Sequence, residues 1–272
     1  MKIYVSADIE GVAGVVVPQH GTPGNPEYER ARRLMTEEVN AAIAGAFDAG
    51  ATEVLVNDSH GPMINLLPEA LDPRAEVILG KPKAMNMAAG LDASFAAVFL
   101  VGHHSRAGGR GVLAHTTNGF AFREVRLAGR PLGEPAIYGA FAGMLGVPVV
   151  LVSGDDRTAE ENRAHFVGAE FAVVKTALGA RAARALSPAR ARETIRTAAA
   201  AALGRRAAIA PFAIPGPFVA EFVMSNSALA DLVSQPPPAR RTDATTLAFD
   251  CADVGEAIGW MNTLSAMSAM LR

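Results

Sequence analysis

One cysteine, one tryptophan and three tyrosines in 272 residues leave little room for several kinds of protein. Cys251 has no partner for an internal disulfide. With a single thiol available, the six histidines do not belong to a Cys-rich zinc finger, so any bound metal is held by imidazole and carboxylate. Charge of one sign is also missing: 25 Lys and Arg against 27 Asp and Glu give a net charge of -2, without the basic excess of a nucleic-acid binder. The longest apolar runs, Phe95 to Gly102 and Val147 to Gly154, fall well short of the about 20 residues that span a bilayer. The opening Met1 to Ala7 stretch stops at Asp8, too short for a signal peptide, and a cytoplasmic location is expected. Neither nucleic acid nor membrane is therefore an expected partner. What the chain does have is apolar content of 50% with 19% charged residues, enough to bury a sizeable core.

Short, nearly continuous apolar runs recur at Ile3 to Val5, Val54 to Val56, Ala97 to Val101 and Val147 to Val152. Runs of that length, rich in β-branched residues, predict strands buried on both faces, as in a parallel sheet. Between them, Glu27 to Ala49 carries apolar residues at helical spacing, starts with acids and ends at Gly50. Alternating strands and helices predict a doubly wound α/β layer with a mostly parallel sheet. Asp155 to Phe166 continues as a helix, Phe171 to Lys175 as a strand, and Ser187-Pro188 opens a helix to about Leu203. Strands at Phe218 to Met224 and Thr245 to Phe249, prolines at 211–217 and 236–238, and a closing helix from Asp253 to Met270 then change the rhythm. The expected organisation is an α/β catalytic domain over 1–180 and a smaller α+β domain over 181–272.

The chemistry stands just beyond the strands. The first runs into Asp8-Ile9-Glu10-Gly11, the second into Asn57-Asp58-Ser59-His60-Gly61 and the third into Gly102-His103-His104. In an open parallel sheet these carboxyl ends line one crevice. Asp8 and Glu10, two apart in extended backbone, leave the same face, and Gly11 lets the chain turn away. Two adjacent carboxylates repel unless protonated or neutralised, and His60 and His104 supply neutral nitrogen donors beside them. A divalent metal resolves the conflict; mixed imidazole and carboxylate ligation favours zinc, manganese, iron or cobalt over calcium or magnesium. The ligands exceed those of one tetrahedral catalytic zinc, which points to two ions bridged by a shared carboxylate at about 3.5–4 Å. Singly, each residue has an ordinary explanation: Asp8 as a turn-former, His60 and His104 as surface or capping histidines, Asp58 and Ser59 as loop-formers. Their joint placement at three strand ends carries the reading. Asp155 suits a helix N-cap and Asp156 the helix dipole, with a carboxylate there holding a substrate ammonium as the alternative, while Lys175, at another strand end, is a candidate to pair with that acid or a peptide carboxylate.

These residues resemble the DppA-type zinc D-aminopeptidases. The likeness rests on Ser6-Ala7-Asp8-Ile9-Glu10-Gly11, Tyr28 to Arg32, Met35 to Glu38, Val54 to His60, Gly102 to His104, Gly111 to His115, Gly133-Glu134 and Gly154 to Arg157, in family order along nearly the whole chain. It implies that Asp8 bridges two zinc ions per subunit, with Glu10, His60, His104 and Glu134 completing their shells. It also implies that His115 is catalytic, as proton shuttle or nucleophile, although on its own His115 reads as a hydrogen-bonded loop histidine. The implied assembly is a ring-type homo-oligomer, a decamer, and the implied substrate a short peptide. Two positions depart from the pattern: Tyr138 stands where a small amide is usual and is expected to narrow or reshape the pocket, and His103 replaces an aromatic or methionine. Adjacent residues in extended chain point oppositely, which leaves His103 outside the metal shell.

The implied reaction is metal-assisted hydrolysis of the amino-terminal peptide bond of a D-amino-acid-containing, D-Ala-D-Ala-like peptide. A metal-dependent amidase or phosphoesterase using the same centre is an alternative, weakened by the lack of an Arg or Lys cluster beside the ligand motifs. A noncatalytic metal-dependent peptide-binding protein is another, which does not require so complete a ligand set.

Overall fold

A computed structural model describes all of residues 1–272. Its first layer is a seven-stranded sheet in the order β3-β2-β1-β4-β7-β8-β9, formed by β1 (Lys2–Ala7), β2 (Glu53–Asp58), β3 (Ala75–Ile78), β4 (Ala97–Val101), β7 (Val149–Asp155), β8 (Glu170–Gly179) and β9 (Ala182–Ala185). Every neighbouring pair is parallel except β8 with β9. The chain builds outward from β1 through β2 to β3, then returns to the other side of β1 as β4. That reversal between β1 and β4 is a topological switch point, the place where such sheets bind their ligands.

Both faces of this sheet are covered, which explains the unbroken apolar runs. Ile3, Val5 and Ala7 point into one core with α1 (Pro26–Asp48) and α4 (Pro188–Arg205), while Tyr4 points into the other. Ala97, Phe99 and Val101 likewise face the first core, and Val98 and Leu100 the second. Alternating faces require every position to be apolar when both are buried. Helix α1 starts at Asn25, whose side chain accepts from the Tyr28 amide, followed by Pro26.

The second core lies between this sheet and a five-stranded antiparallel sheet, β11-β12-β10-β5-β6. Its strands are β5 (Phe122–Leu127), β6 (Arg130–Pro131), β10 (Phe218–Met224), β11 (Arg240–Arg241) and β12 (Thr246–Cys251), with α2 (Glu134–Met144), α5 (Ser227–Val233) and α6 (Val254–Ser268) contributing to the same core. The remaining helix, α3 (Asp156–Asn162), is shorter than expected and stops before Phe166.

The cut expected at residue 180 does not separate the layers. The β5–β6 hairpin, well before it, pairs with β10, while α4, after it, packs on α1 in the first core. The cause is local: Ala128 and Gly129 both have positive φ, 51° and 74°, the geometry of a tight two-residue hairpin that folds β6 back on β5 and presents β5's other edge to β10.

Helices α1 and α4 cross at Gly45, where an added Cβ would fall inside contact distance of the Arg196 carbonyl oxygen. Alanine there gains about 1 kcal/mol of helix propensity but strikes backbone, which cannot rotate aside as a side-chain tip does. Gly45→Ala is expected to destabilise the chain by about 1–2 kcal/mol net, read as a lowered urea midpoint; an unchanged or raised midpoint would show that the crossing is loose.

Candidate metal centre

The exits of β1 and β4 lie against each other because two glycines allow it. A Cβ on Gly11 would collide with the backbone of Gly102 and His103, and one on Gly102 with the carbonyl of Asp8. Gly102 also has a φ of 73°. The Asp8 amide donates to Val101 O at 2.8 Å and the Gly11 amide to Gly102 O at 2.7 Å, so the strand ends stay joined past the sheet. Asp8 and Glu10 thereby meet His104.

Six residues converge there. His60 Nδ1 lies 3.0 Å from Glu10 Oε2 and 3.3 Å from Asp8 Oδ1. His104 Nε2 lies 3.4 Å from Asp8 Oδ2 and 3.5 Å from Glu134 Oε1. His115 Nε2 stands 3.9 Å from both Glu10 Oε1 and Glu134 Oε1, its ring stacked on that of His104 with centroids 4.2 Å apart. Ligand atoms fall into three mutually close groups: Asp8 with Glu10 and His60, Asp8 with His104 and Glu134, and Glu10 with His104 and His115. Asp8 is common to the first two.

Each histidine commits one nitrogen to a backbone carbonyl. His60 Nε2 donates to Gly21 O at 2.8 Å, His104 Nδ1 to Ser105 O at 2.9 Å and His115 Nδ1 to Leu113 O at 2.9 Å. Those bonds fix the neutral tautomer, so the nitrogen facing the carboxylates offers a lone pair. A lone pair aimed at a carboxylate oxygen is repulsive unless a proton or a cation lies between. His104 Nε2 and Asp8 Oδ2 are buried and have no hydrogen-bond partner at all. Donors of this kind, oriented by carbonyls and left unsatisfied within a cage of acids, fit a divalent metal.

Without metal the cage resolves its conflict by protonating. Burial pulls the His60 and His104 imidazoles down, but Glu10 and Asp8 around His60, and Glu134, Glu10 and Asp8 around His104, outweigh it and hold both well above the ordinary value. Burial pushes the Glu10 and Glu134 carboxyls up, yet His60 beside Glu10 and His104 beside Glu134 keep both below the usual carboxylate range.

The surroundings hold this cage in place. Glu134 opens α2, and its Oε1 accepts from the Thr117 amide, whose residue has a φ of 60°, unusual for a β-branched side chain. Asp155 is the N-cap expected, accepting from the Thr158 amide at 2.7 Å; its other oxygen takes the Val112 amide at 2.7 Å and so anchors the loop that carries His115. Asp58 is a loop-former, accepting from the Asn65 and Leu66 amides. His103 points away from the cage, toward Ser6 O.

Two expectations are corrected. Lys175 meets neither an acid nor the cavity: buried, it donates to the carbonyls of Glu10, Val12 and Val15 and braces the loop after β1 from beneath. Three carbonyls satisfy its three N–H groups, and burial draws its pKa down to about 8. Tyr138 does not itself line the cavity and so does not narrow it directly. Its phenol is buried in the second core with Tyr4 and Met87, below the cavity wall.

A cavity of about 720 Å³ opens on the cage, lined by Asp8, His60, His115 and Glu134, by the Lys81–Met87 segment and by α6. The α6 contribution went unnoticed in the sequence. Asn262, Ser265 and Ala266, with Ala269 just past its end, recur at helical spacing as a polar and small-residue face of an otherwise largely apolar helix, which is the available signal.

A buried histidine–carboxylate cage at the switch point of a doubly wound sheet defines the class, a metal-dependent hydrolase. Residues 1–263 match the family model described as D-aminopeptidase, and the chain belongs to that family. It is 36% identical over 269 residues to the D-aminopeptidase of Bacillus subtilis strain 168, covering 98% of both chains. Its structure is similar to that of the zinc-dependent D-aminopeptidase DppA of Bacillus subtilis, described as a self-compartmentalizing protease, with a TM-score of 0.96, 35% identity, and 99% of this chain and 98% of that one covered.

Glu38, buried beneath the same loop, accepts from the Ala13 amide at 2.8 Å, and burial raises its carboxyl from 4.5 to about 7. Ionisation is therefore disfavoured in the folded chain only. The associated stability is complete below pH 4.5 and is lost as pH rises through about 7, by roughly 3 kcal/mol in all. Glu38→Gln is expected to remove this slope, so that the wild-type-minus-variant difference in unfolding free energy falls between about pH 5 and pH 8; a constant difference would place the Glu38 pKa at its unfolded value.

Proposed function

We propose that the protein is a dinuclear zinc aminopeptidase that hydrolyses the amino-terminal peptide bond of short peptides beginning with a D-amino acid, of the D-Ala-D-Ala kind. The observation that carries this reading is the set of three histidines, each locked by a backbone carbonyl and turned toward acids that already crowd one another. In this reading Asp8, Glu10, His60, His104 and Glu134 would hold two zinc ions, Asp8 belonging both to the group with Glu10 and His60 and to the group with His104 and Glu134. Zinc bound there supplies Lewis acidity toward the scissile carbonyl and the attacking water.

The protein's own contribution is orientation and proton handling. His115 is the most accessible of the convergent histidines and lines the cavity. With Nδ1 held by Leu113 O, its Nε2 is the atom that carries a proton toward the leaving amine. Stacking on His104 fixes the plane of the ring. The enclosing walls from α6 and the Lys81–Met87 segment limit the length of peptide that enters. The self-compartmentalizing character of the B. subtilis relative supports a homo-oligomer, which we take to be a ring-type decamer, working in the cytoplasm.

Zinc content and amino-acid release from matched D-Ala-D-Ala and L-Ala-L-Ala, with and without chelator, test the reading. Expected are about two zinc ions per chain and chelator-sensitive cleavage of the D-peptide. His115→Ala is expected to lower kcat by roughly 10²–10⁴-fold while zinc stays bound; loss of zinc along with activity would make His115 structural. Bound zinc with cleavage of neither peptide would retain the centre and reject the substrate.

A further inference from the structure

The cavity that opens on the metal cage has a second polar feature that the proposed reaction does not use. Lys83 lines it, held by bonds to two neutral acceptors, Asn57 Oδ1 at 2.6 Å and the Asp58 carbonyl at 2.7 Å. An ammonium has three donors, so one N–H of Lys83 remains for whatever fills the cavity. The group is half-buried, and partial removal of a charge from water is unfavourable unless something compensates. Neither of its two partners carries a charge.

The chain takes an uncommon path to put it there. Met85 and Asn86, neither of them glycine, have φ values of 56° and 48°. Consecutive left-handed residues with side chains are strained and persist only where other contacts hold them. Here Asn57 Nδ2 donates to Asn86 O at 3.1 Å, and Asn86 Nδ2 to Asn262 Oδ1 at 2.7 Å. Asn57, fully buried at the end of β2, therefore grips both Lys83 and the strained turn, and α6 grips the turn from the other side. Lys81 and Arg272 add positive charge to the same cavity wall, while Asp8 and Glu134 concentrate negative charge at the cage.

We propose that Lys83 is the subsite for the terminal carboxylate of the bound peptide, which makes the protein selective for short peptides with a free carboxyl end over the same peptides amidated or extended. The proposal rests on the aminopeptidase reading for the identity of the ligand. A zwitterionic peptide matches the cavity's charge separation, with its reacting end at the cage and its carboxylate on an ammonium pre-oriented by Asn57 and Asp58. The lowering of the Lys83 pKa to about 8, caused by burial, agrees with a cation kept in reserve for an anionic ligand. A longer chain would place an uncharged peptide group against Lys83, whose nearby anion, the Asp58 carboxylate, is already taken up by the Asn65 and Leu66 amides.

The test compares D-Ala-D-Ala with D-Ala-D-Ala-amide on the zinc-loaded protein. For the wild type, KM for the free acid is expected to be about tenfold or more below that for the amide, the usual size of a charge-assisted contact. In Lys83→Met the two KM values converge, through a rise for the acid, while Lys83→Arg restores part of the difference. Zinc content and the thermal unfolding midpoint of each variant report whether the end of β2 has kept its fold. Equilibrium binding of both peptides in a His115→Ala background repeats the comparison without turnover. Preferential binding of the acid, lost on Lys83→Met, supports the subsite even if neither peptide is hydrolysed, an outcome that would count only against the aminopeptidase reading. Equal KM and equal binding of acid and amide by the wild type would overturn the subsite. A fall in kcat of the same size for both peptides in Lys83→Met would overturn it as well, and assign Lys83 to the scissile bond.

Discussion

The structure is organised around a repulsion. Asp8, Glu10 and Glu134 are brought together in a buried space where their charges oppose one another, and three histidines turn toward them the ring nitrogen that is not bonded to a backbone carbonyl. A carboxylate cluster of that kind collapses or protonates unless its backbone is held from outside. The holding is visible on every side. Glycines 11 and 102 let the exits of β1 and β4 touch, Lys175 ties down three carbonyls of the loop after β1, and Asp155 fastens the segment that carries His115. Affinity for a divalent cation then comes from geometry fixed before the cation arrives.

The fold supplies the rest by topology. The strand order reverses between β1 and β4, and the residues immediately after β1, β2 and β4 meet at that switch point. Glu134 comes from outside the sheet, at the start of a helix that belongs to the second core, so the cage spans both layers. The same is true of the cavity, whose walls are Lys81–Met87 on one side and α6 on the other. Cage and cavity thus each draw residues from both layers.

Much of this was legible in the amino-acid sequence where burial on both faces leaves uninterrupted apolar runs. β1, β2, β4 and β7 announce themselves in that way, and the acids and histidines after the first three stand out because strands so rarely end on them together. Glu134 and His115 had no such signal and came from the family resemblance. Elements whose pattern is ambiguous were missed: α2 is apolar on all sides and has no amphipathic face, and β9, Ala-Ala-Arg-Ala, is short and carries no β-branched residue. Lys175 and Tyr138 were placed in the wrong surroundings because direction along a strand or helix does not reveal what lies opposite. Only the tertiary packing shows that one ends on loop carbonyls and the other under Met87.

The pairing of β5 with β10 bears on how the molecule is made. On a ribosome, the chain through β9 emerges with every strand of the parallel sheet in hand, yet the β5–β6 hairpin has one edge bare until β10 and β12 follow. A bare edge with an apolar face is a template for other chains. Closing it requires a contact between segments far apart in sequence, and such contacts form slowly. The second layer, and with it the Glu134 end of the cage, is therefore the last part of the protein to mature, and nascent chains are most exposed to misassociation in the interval before α6 packs down.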